Sequence, residues 1–219
     1  DETFFDVIDT EEKAYFLGFL YADGYNNTDR NSVTLSLKED DKEILVKLNS
    51  LLQPDKPLQY VEIKTTNSSN QYRLVIANKH ISQRLVDLGC YKAKTYTLEF
   101  PKEEQVPKYL VRHFVRGYFD GDGWVGEKAI SVVSTLNFCN SLAKILNQEL
   151  NINSYIRARH PERKNNIRML ELSEKAARLF LKWIYKDANI YLQRKYERFL
   201  KQMEYGKSLT EVKVCAVEG

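Results

Sequence analysis

The sequence predicts an α+β protein made of two similar halves, and three observations predict it. Helical and strand-like hydrophobic periodicities alternate along the chain. Their order occurs twice, at a nearly constant offset. At the head of each copy stands a short apolar helix ending in Asp-Gly, FLGFLYADG at residues 16–24 and VRGYFDGDG at residues 115–123.

The elements follow in order. Asp9 is placed to cap a helix beginning near Thr10, with Glu12 three residues on to close a capping box. That helix, EEKAYFLGFLYA, is strongly apolar and stops near Asp23 and Gly24. Residues 24–31 are polar and rich in Asn and Gly, which marks a loop or short irregular strand. Residues 32–37 alternate Val33, Leu35 and Leu37 with hydroxyl side chains, the pattern of a half-buried strand. Residues 39–52 form an amphipathic helix with Ile44, Leu45, Leu48, Leu51 and Leu52 on one stripe. Strands at 60–65 and 71–76 are joined by a polar tip at 66–70. A helix at 80–88 turns Ile81, Leu85 and Leu88 inward and is stopped by Gly89. Residues 91–100 are a crossing segment rich in Lys and Thr.

The pattern then repeats. Pro107 suits the first turn of a helix over 108–121, which ends at Asp122 and Gly123. A strand at 129–134 and a helix at 136–150 follow. Strands at 154–159 and 166–172 flank a basic tip, and helices follow at 174–185 and from about 188 to 205. The division is 1–100 for the first half, 101–107 for a linker, 108–205 for the second half and 206–219 for a tail. Asp23 and Asp122 are 99 residues apart, Leu52 and Leu150 98, and Leu74 and Leu170 96. Identity between the halves is low, so this offset is the sign of duplication.

Composition narrows the functional classes. Apolar residues make up 43%, too many for a disordered chain. No apolar run is long enough for a membrane span and no basic-plus-apolar leader is present, so the expected setting is intracellular, away from membranes. Three widely spaced cysteines argue against a disulfide framework, and three histidines share no metal-ligand spacing. There is no phosphate-binding lysine loop and no dinucleotide fingerprint. The net charge is +3, but residues 1–100 hold 12 Lys/Arg against 16 Asp/Glu while residues 101–219 hold 21 against 14. A basic second half suits a polyanionic partner.

The helix ends carry the chemistry. Gly18 and Ala22, like Gly117 and Gly121, lie four apart and share a helix face. Small side chains there let two helices approach closely, which would bring Asp23 and Asp122 together. Paired carboxylates need a cation between them. Hard divalent ions such as Mg²⁺ take carboxylate and carbonyl oxygens, so the carbonyls of Ala22 and Gly121 join the candidate ligands. Asp-Gly after one helix is a common turn; the symmetry-related pair makes it a candidate site. Asp120, whose counterpart is Tyr21, is read as accessory or structural.

These two segments resemble the defining motif of the LAGLIDADG homing endonucleases in their single-chain, two-motif form. The match lies in Gly18 and Gly117, and in Asp23 and Asp122, each before a glycine. Leu17 and Arg116 depart from the motif's alanine, and Tyr21 from its smaller acidic residue. The resemblance spans roughly residues 8–205. It implies two pseudo-symmetric αββαββα halves forming a saddle of antiparallel sheets on double-stranded DNA. It further implies a monomeric, metal-dependent endonuclease that cuts both strands of a long site and leaves 3′ overhangs. The metal would be Mg²⁺, with Mn²⁺ or Ca²⁺ able to occupy the same sites. The family's basic residue near each active site corresponds to Lys94 and Lys195, 71 and 73 residues after their aspartates. The alternative is a protein of the same fold that binds DNA without cutting, or an intron RNA maturase.

Two-stranded ribbons fit the major groove, so outward polar residues on the strands are candidate base readers. In the first half these are Ser32, Thr34, Ser36, Lys38, Glu62, Lys64, Gln71 and Arg73. In the second they are Ser131, Ser134, Tyr155, Arg157, Arg159 and Arg168. Arg163 and Lys164, at the hairpin tip, are placed for phosphates.

Overall fold

A computed structural model describes residues 1–64 and 69–215, with side chains through residue 205. The first half runs α1 (Glu11–Asp23), β1 (Tyr25–Asn27), β2 (Ser32–Lys38), α2 (Lys42–Leu52), β3 (Gln59–Val61), β4 (Gln71–Ala77) and α3 (Lys79–Asp87). The second runs α4 (Val111–Asp122), β5 (Gly123–Val125), β6 (Ala129–Thr135), α5 (Leu136–Leu150), β7 (Tyr155–Ala158), β8 (Ile167–Ser173) and α6 (Glu174–Tyr185). A long α7 (Gln193–Cys215) follows. Each half thus holds an αββαββα unit.

Each half has one four-stranded antiparallel sheet, in the orders β1-β2-β4-β3 and β5-β6-β8-β7. One face of each sheet is held by helices through Val33, Leu35, Leu74 and Ile76 in the first half and Ile130, Val132, Leu170 and Leu172 in the second, all buried. The other face is turned outward.

Between the halves lie α1 and α4, which make the most extensive inter-element contact in the chain. Every residue from Ala14 to Tyr21 is buried, so α1 is a core helix rather than an amphipathic one. A Cβ added at Gly18 would overlap the Phe114 carbonyl, and one added at Gly117 would overlap the Tyr15 carbonyl. The small-residue face expected from the sequence is therefore the crossing point of the two helices.

Several boundaries differ from expectation. Thr10, not Asp9, caps α1 by accepting from the Lys13 amide at 3.3 Å; Asp9 pairs instead with the Lys13 ammonium at 2.8 Å. The amphipathic helix expected from residue 39 begins with a 3-10 turn over Glu39–Asp41. The helix expected from about residue 188 starts at Gln193, and it continues to Cys215, through much of the expected tail. Short β1 and β5, entered directly from the Asp-Gly turns, were too brief for periodicity to mark. β3 pairs only over Gln59–Val61, so Glu62 and Lys64 lie beyond it. Most of the expected hairpin tip at 66–70 lies outside the described residues.

The register corrects two candidate readers. β6 and β8 pair Ser134 with Arg168, in line with Val132–Leu170 and Ile130–Leu172. Period-two alternation therefore puts both on the core-side face, not the outward one. Ser134 is buried, and the Arg168 guanidinium donates to the Asn165 and Ile167 carbonyls, each at 3.0 Å. Polarity alone suggested these residues; strand parity takes both off the outward face, although Ser134 still lines the cavity beside Asp122.

The crossing has a direct test. Gly18→Ala forces a methyl into the Phe114 backbone, which cannot retreat without parting the helices. Overpacking of this kind costs about 3 kcal/mol. Urea unfolding should show that loss, and an unchanged midpoint would contradict the packing.

Candidate active site at the paired helix ends

The α1–α4 crossing delivers the two aspartates to one place. Asp23 is the last residue of α1 and Asp122 the last of α4. A Cβ built on Gly121 would lie 3.2 Å from the Asp23 carboxylate, so Asp23 runs alongside the end of the opposite motif. Both aspartates are exposed to solvent. Even so, loss of hydration raises the Asp23 carboxyl, with Lys195 and then Lys94 pulling it back. The Asp122 carboxyl is pushed up to about 6, first by lost hydration and second by the Asp23 charge. The two acids thus repel at the distance that the helix packing imposes.

The two candidate lysines reach the same backbone. The Lys94 ammonium, carried on a 3-10 turn over Lys94–Tyr96, donates to the Gly24 carbonyl. The Lys195 ammonium donates to the Phe119 carbonyl at 2.5 Å and the Gly121 carbonyl at 3.4 Å. The pair is not equivalent. Lys94 is half-buried, whereas Lys195 is buried and its pKa is lowered to about 8, chiefly by lost hydration. Beside Lys195, the Arg194 guanidinium donates to both Asp41 oxygens from 3.0 Å.

A cavity of about 340 Å³ opens at this junction. Lys94 and Ala22 from the first half and Asp122, Arg159, His160 and Arg163 from the second are among its lining. His160 is a cavity residue that motif and pattern reasoning missed, because it is placed by the hairpin rather than by any local spacing. Lys164 is exposed at the same tip, and Arg157 is held by Glu171 at 2.6 and 3.1 Å. On the first sheet, Ser32, Thr34, Ser36, Lys38, Gln71 and Arg73 share the outward face, and Arg73 donates to the Ser36 hydroxyl at 3.1 Å. On the second sheet Ser131 and Tyr155 are outward by register, Ser131 nearly covered and Tyr155 exposed. Gln59, paired with Arg73, is a further outward residue that the short β3 concealed.

Asp120 is spent on structure. It accepts from the Tyr15 hydroxyl at 2.9 Å, the Tyr185 hydroxyl at 2.7 Å and the Leu192 amide at 2.7 Å. Its counterpart Tyr21 donates to the Leu88 carbonyl. Each ties its motif helix to the segment just before the lysine of that half, by opposite polarity. Arg116, at the departure from the motif, is fully buried and donates to the Ile184 and Ile190 carbonyls at 2.8 Å and to Glu11 at 2.5 Å. No sequence pattern marked this anchor.

Among the described residues no group of three or more His, Cys, Asp or Glu side chains could enclose a metal. The groups that could serve as donors are the two carboxylates and main-chain carbonyls at the helix ends. That suits a hard ion completed by water and substrate oxygens rather than one caged by protein. No helix of the described residues is long and apolar enough to cross a membrane. Cys90 and Cys139 are free and buried.

The family model of the LAGLIDADG-like domain matches residues 110–185. The chain has the LAGLIDADG homing endonuclease fold. The same fold is seen in the homing endonuclease I-WcaI bound to its DNA recognition sequence, at a TM-score of 0.59 and 15% identity over 81% of each chain. Full-length DUF199/WhiA from Thermatoga maritima aligns at a TM-score of 0.56 and 17% identity, over 99% of this chain and 71% of that one. The I-SmaMI LAGLIDADG homing endonuclease bound to cleaved DNA aligns at 0.56 and 11%, over 91% of this chain and 90% of that one. At such identities the LAGLIDADG likeness is one of fold. No curated protein matches the chain in sequence.

The raised Asp122 pKa has a consequence for stability. A carboxyl raised in the folded state binds more protons there, so stability falls as pH rises from about 4 through about 6. Asp122→Asn removes this loss. At pH 7.5 in chelator the variant should be more stable, by on the order of 1 kcal/mol for so accessible a group, and near wild type at pH 4. Thermal melts at the two pH values check it; an equal or lower midpoint at pH 7.5 would contradict the crowding.

Proposed function

We propose that this chain is a site-specific DNA endonuclease that hydrolyses both strands of a long, nearly asymmetric target with a divalent metal and leaves 3′ overhangs. The observation that carries the reading is the convergence of Asp23 and Asp122 at the α1–α4 crossing, each with a lysine of its half on the adjoining backbone. Both halves sit in one chain, so a monomer supplies both acids.

Asp23 and Asp122, with the carbonyls of Ala22 and Gly121, would hold Mg²⁺; Mn²⁺ or Ca²⁺ would bind the same oxygens. Such an ion supplies Lewis-acid activation of water and stabilisation of a departing oxygen. The chain's own groups do the rest. Lys94 lines the cavity, and its ammonium, held on the Gly24 carbonyl, would steady negative charge on the phosphate as a preorganised donor. Water attacks phosphorus, the bond to the 3′ oxygen breaks, and the products are a 3′ hydroxyl and a 5′ phosphate. Arg159, Arg163 and Lys164 would fix the phosphate backbone, while the outward faces of the two sheets lie along the grooves.

One observation favours a second reading, in which the protein binds DNA without cutting. The Lys195 ammonium lies 3.4 Å from the Gly121 carbonyl and competes there with a divalent ion. The experiment separates the two. A duplex selected by binding is placed in a supercoiled plasmid and incubated with Mg²⁺ or with chelator. Cleavage is expected only with Mg²⁺. Asp23→Asn and Asp122→Asn should each lower double-strand cutting on the order of 10³-fold, the scale for a lost transition-state stabiliser. Full cutting by either variant would sink the assignment, and binding without any cutting by the wild type would favour the second reading.

A further inference from the structure

The two outward sheet faces are built from different chemistry at symmetry-related positions. In the first sheet, Ser36, Gln71 and Arg73 face outward together in paired strands. Their counterparts in the second sheet are Val133, Ile167 and Met169, also paired and also outward. At these three positions a polar residue is matched by an apolar one, whereas Thr34 and Lys38 are matched by Ser131 and Thr135, and Val75 by Glu171. Exposed Trp124 and Tyr155 stand on the same face. Its two charged members, Arg157 and Glu171, are bound to each other, and Arg157 lies 3.5 Å from the Met169 sulfur.

The apolar face is continuous with the candidate active site. Val133 and Ile167 line the same cavity as Lys94 and Asp122. Arg159 and Arg163 line it too, and Lys164 stands beside Arg163 at the hairpin tip, all three exposed. An apolar floor with a cationic rim fits a surface whose edges are anionic and whose middle offers methyl groups. In the major groove of DNA the C5-methyl of thymine is the one apolar group on a base edge. Pressing Val133 or Met169 on a G·C pair would instead strip water from amino and carbonyl groups and return no partner.

Resting on the endonuclease reading, we infer that the second sheet recognises its half-site through thymine methyl groups, with Val133, Ile167 and Met169 as the specificity-determining residues. The first sheet reads its half-site by hydrogen bonds. The target is therefore asymmetric in chemistry as well as in sequence.

The test uses the wild-type chain in chelator, so that bound duplexes remain intact. Duplexes are selected from a randomised library, and thymines in the best binder are replaced one at a time by deoxyuridine. Loss of a methyl in one half-site should weaken binding about fourfold per contacted position, the scale of one buried methyl, and have little effect in the other half. Val133→Ser with Met169→Gln should abolish that sensitivity at the positions these two side chains contact, leaving only what Ile167 contributes. Tight binding that uracil leaves unchanged throughout would overturn the inference while sparing the DNA reading. So would dimerisation of the free chain that the same substitutions abolish, since it would assign the face to a second copy. Failure to select any duplex would overturn the DNA reading itself, and this inference with it.

Discussion

Everything at the centre of this molecule depends on one close approach, where the backbones of α1 and α4 meet at Gly18 and Gly117. Dispersion is short-ranged, so two helices gain most when no side chain holds them apart. The contact does more than stabilise. It fixes the relative position of two sheets that share no strand, and it sets Asp23 and Asp122 side by side. A single added methyl on either glycine would alter the spacing of the acids and the angle between the sheets together.

The crossing is held from both sides by buried polar groups. Arg116, Asp120, Tyr15 and Tyr185 are taken out of water and Glu11 is partly so, but each has partners. A satisfied network of this kind contributes geometry more than net stability, because desolvation offsets much of the attraction. Removing one partner would leave another stranded. The network joins α1 and α4 to the end of α6 and the start of α7, which brings Lys195 beneath the Asp122 turn. The first half reaches the same outcome with less charge, since Tyr21 ties α1 to the turn before Lys94. The halves are therefore similar in path and different in chemistry, an asymmetry that runs from the anchors to the lysines and the outward faces.

The site itself is poorly relaxed. Two carboxylates face each other where hydration is reduced, and Lys195 is kept from water at the cost of its basicity. Charge crowding of this kind lowers stability, and packing elsewhere must offset it.

Much of this was legible in the chain. The 3.6 and 2 periodicities, the offset between copies and the small residues before each Asp-Gly depend only on local order, and they marked both halves, most elements and the two acids. Helix α6 was found over its full length because its apolar stripe is unbroken. Short β5 was not, and β1 was legible only as a loop or short strand, since three residues carry no period; the strand expected at 60–65 pairs only over Gln59–Val61. Ser134 and Arg168 were misplaced because polarity does not reveal which face a residue occupies when pairing covers it; register decides that. Arg116, His160 and the unequal burial of Lys94 and Lys195 came from contacts between segments up to about a hundred residues apart. Sequence alone determined which groups exist and how the chain turns locally. Tertiary structure decided which groups meet and how much water they keep, because electrostatics and packing depend on distances in space.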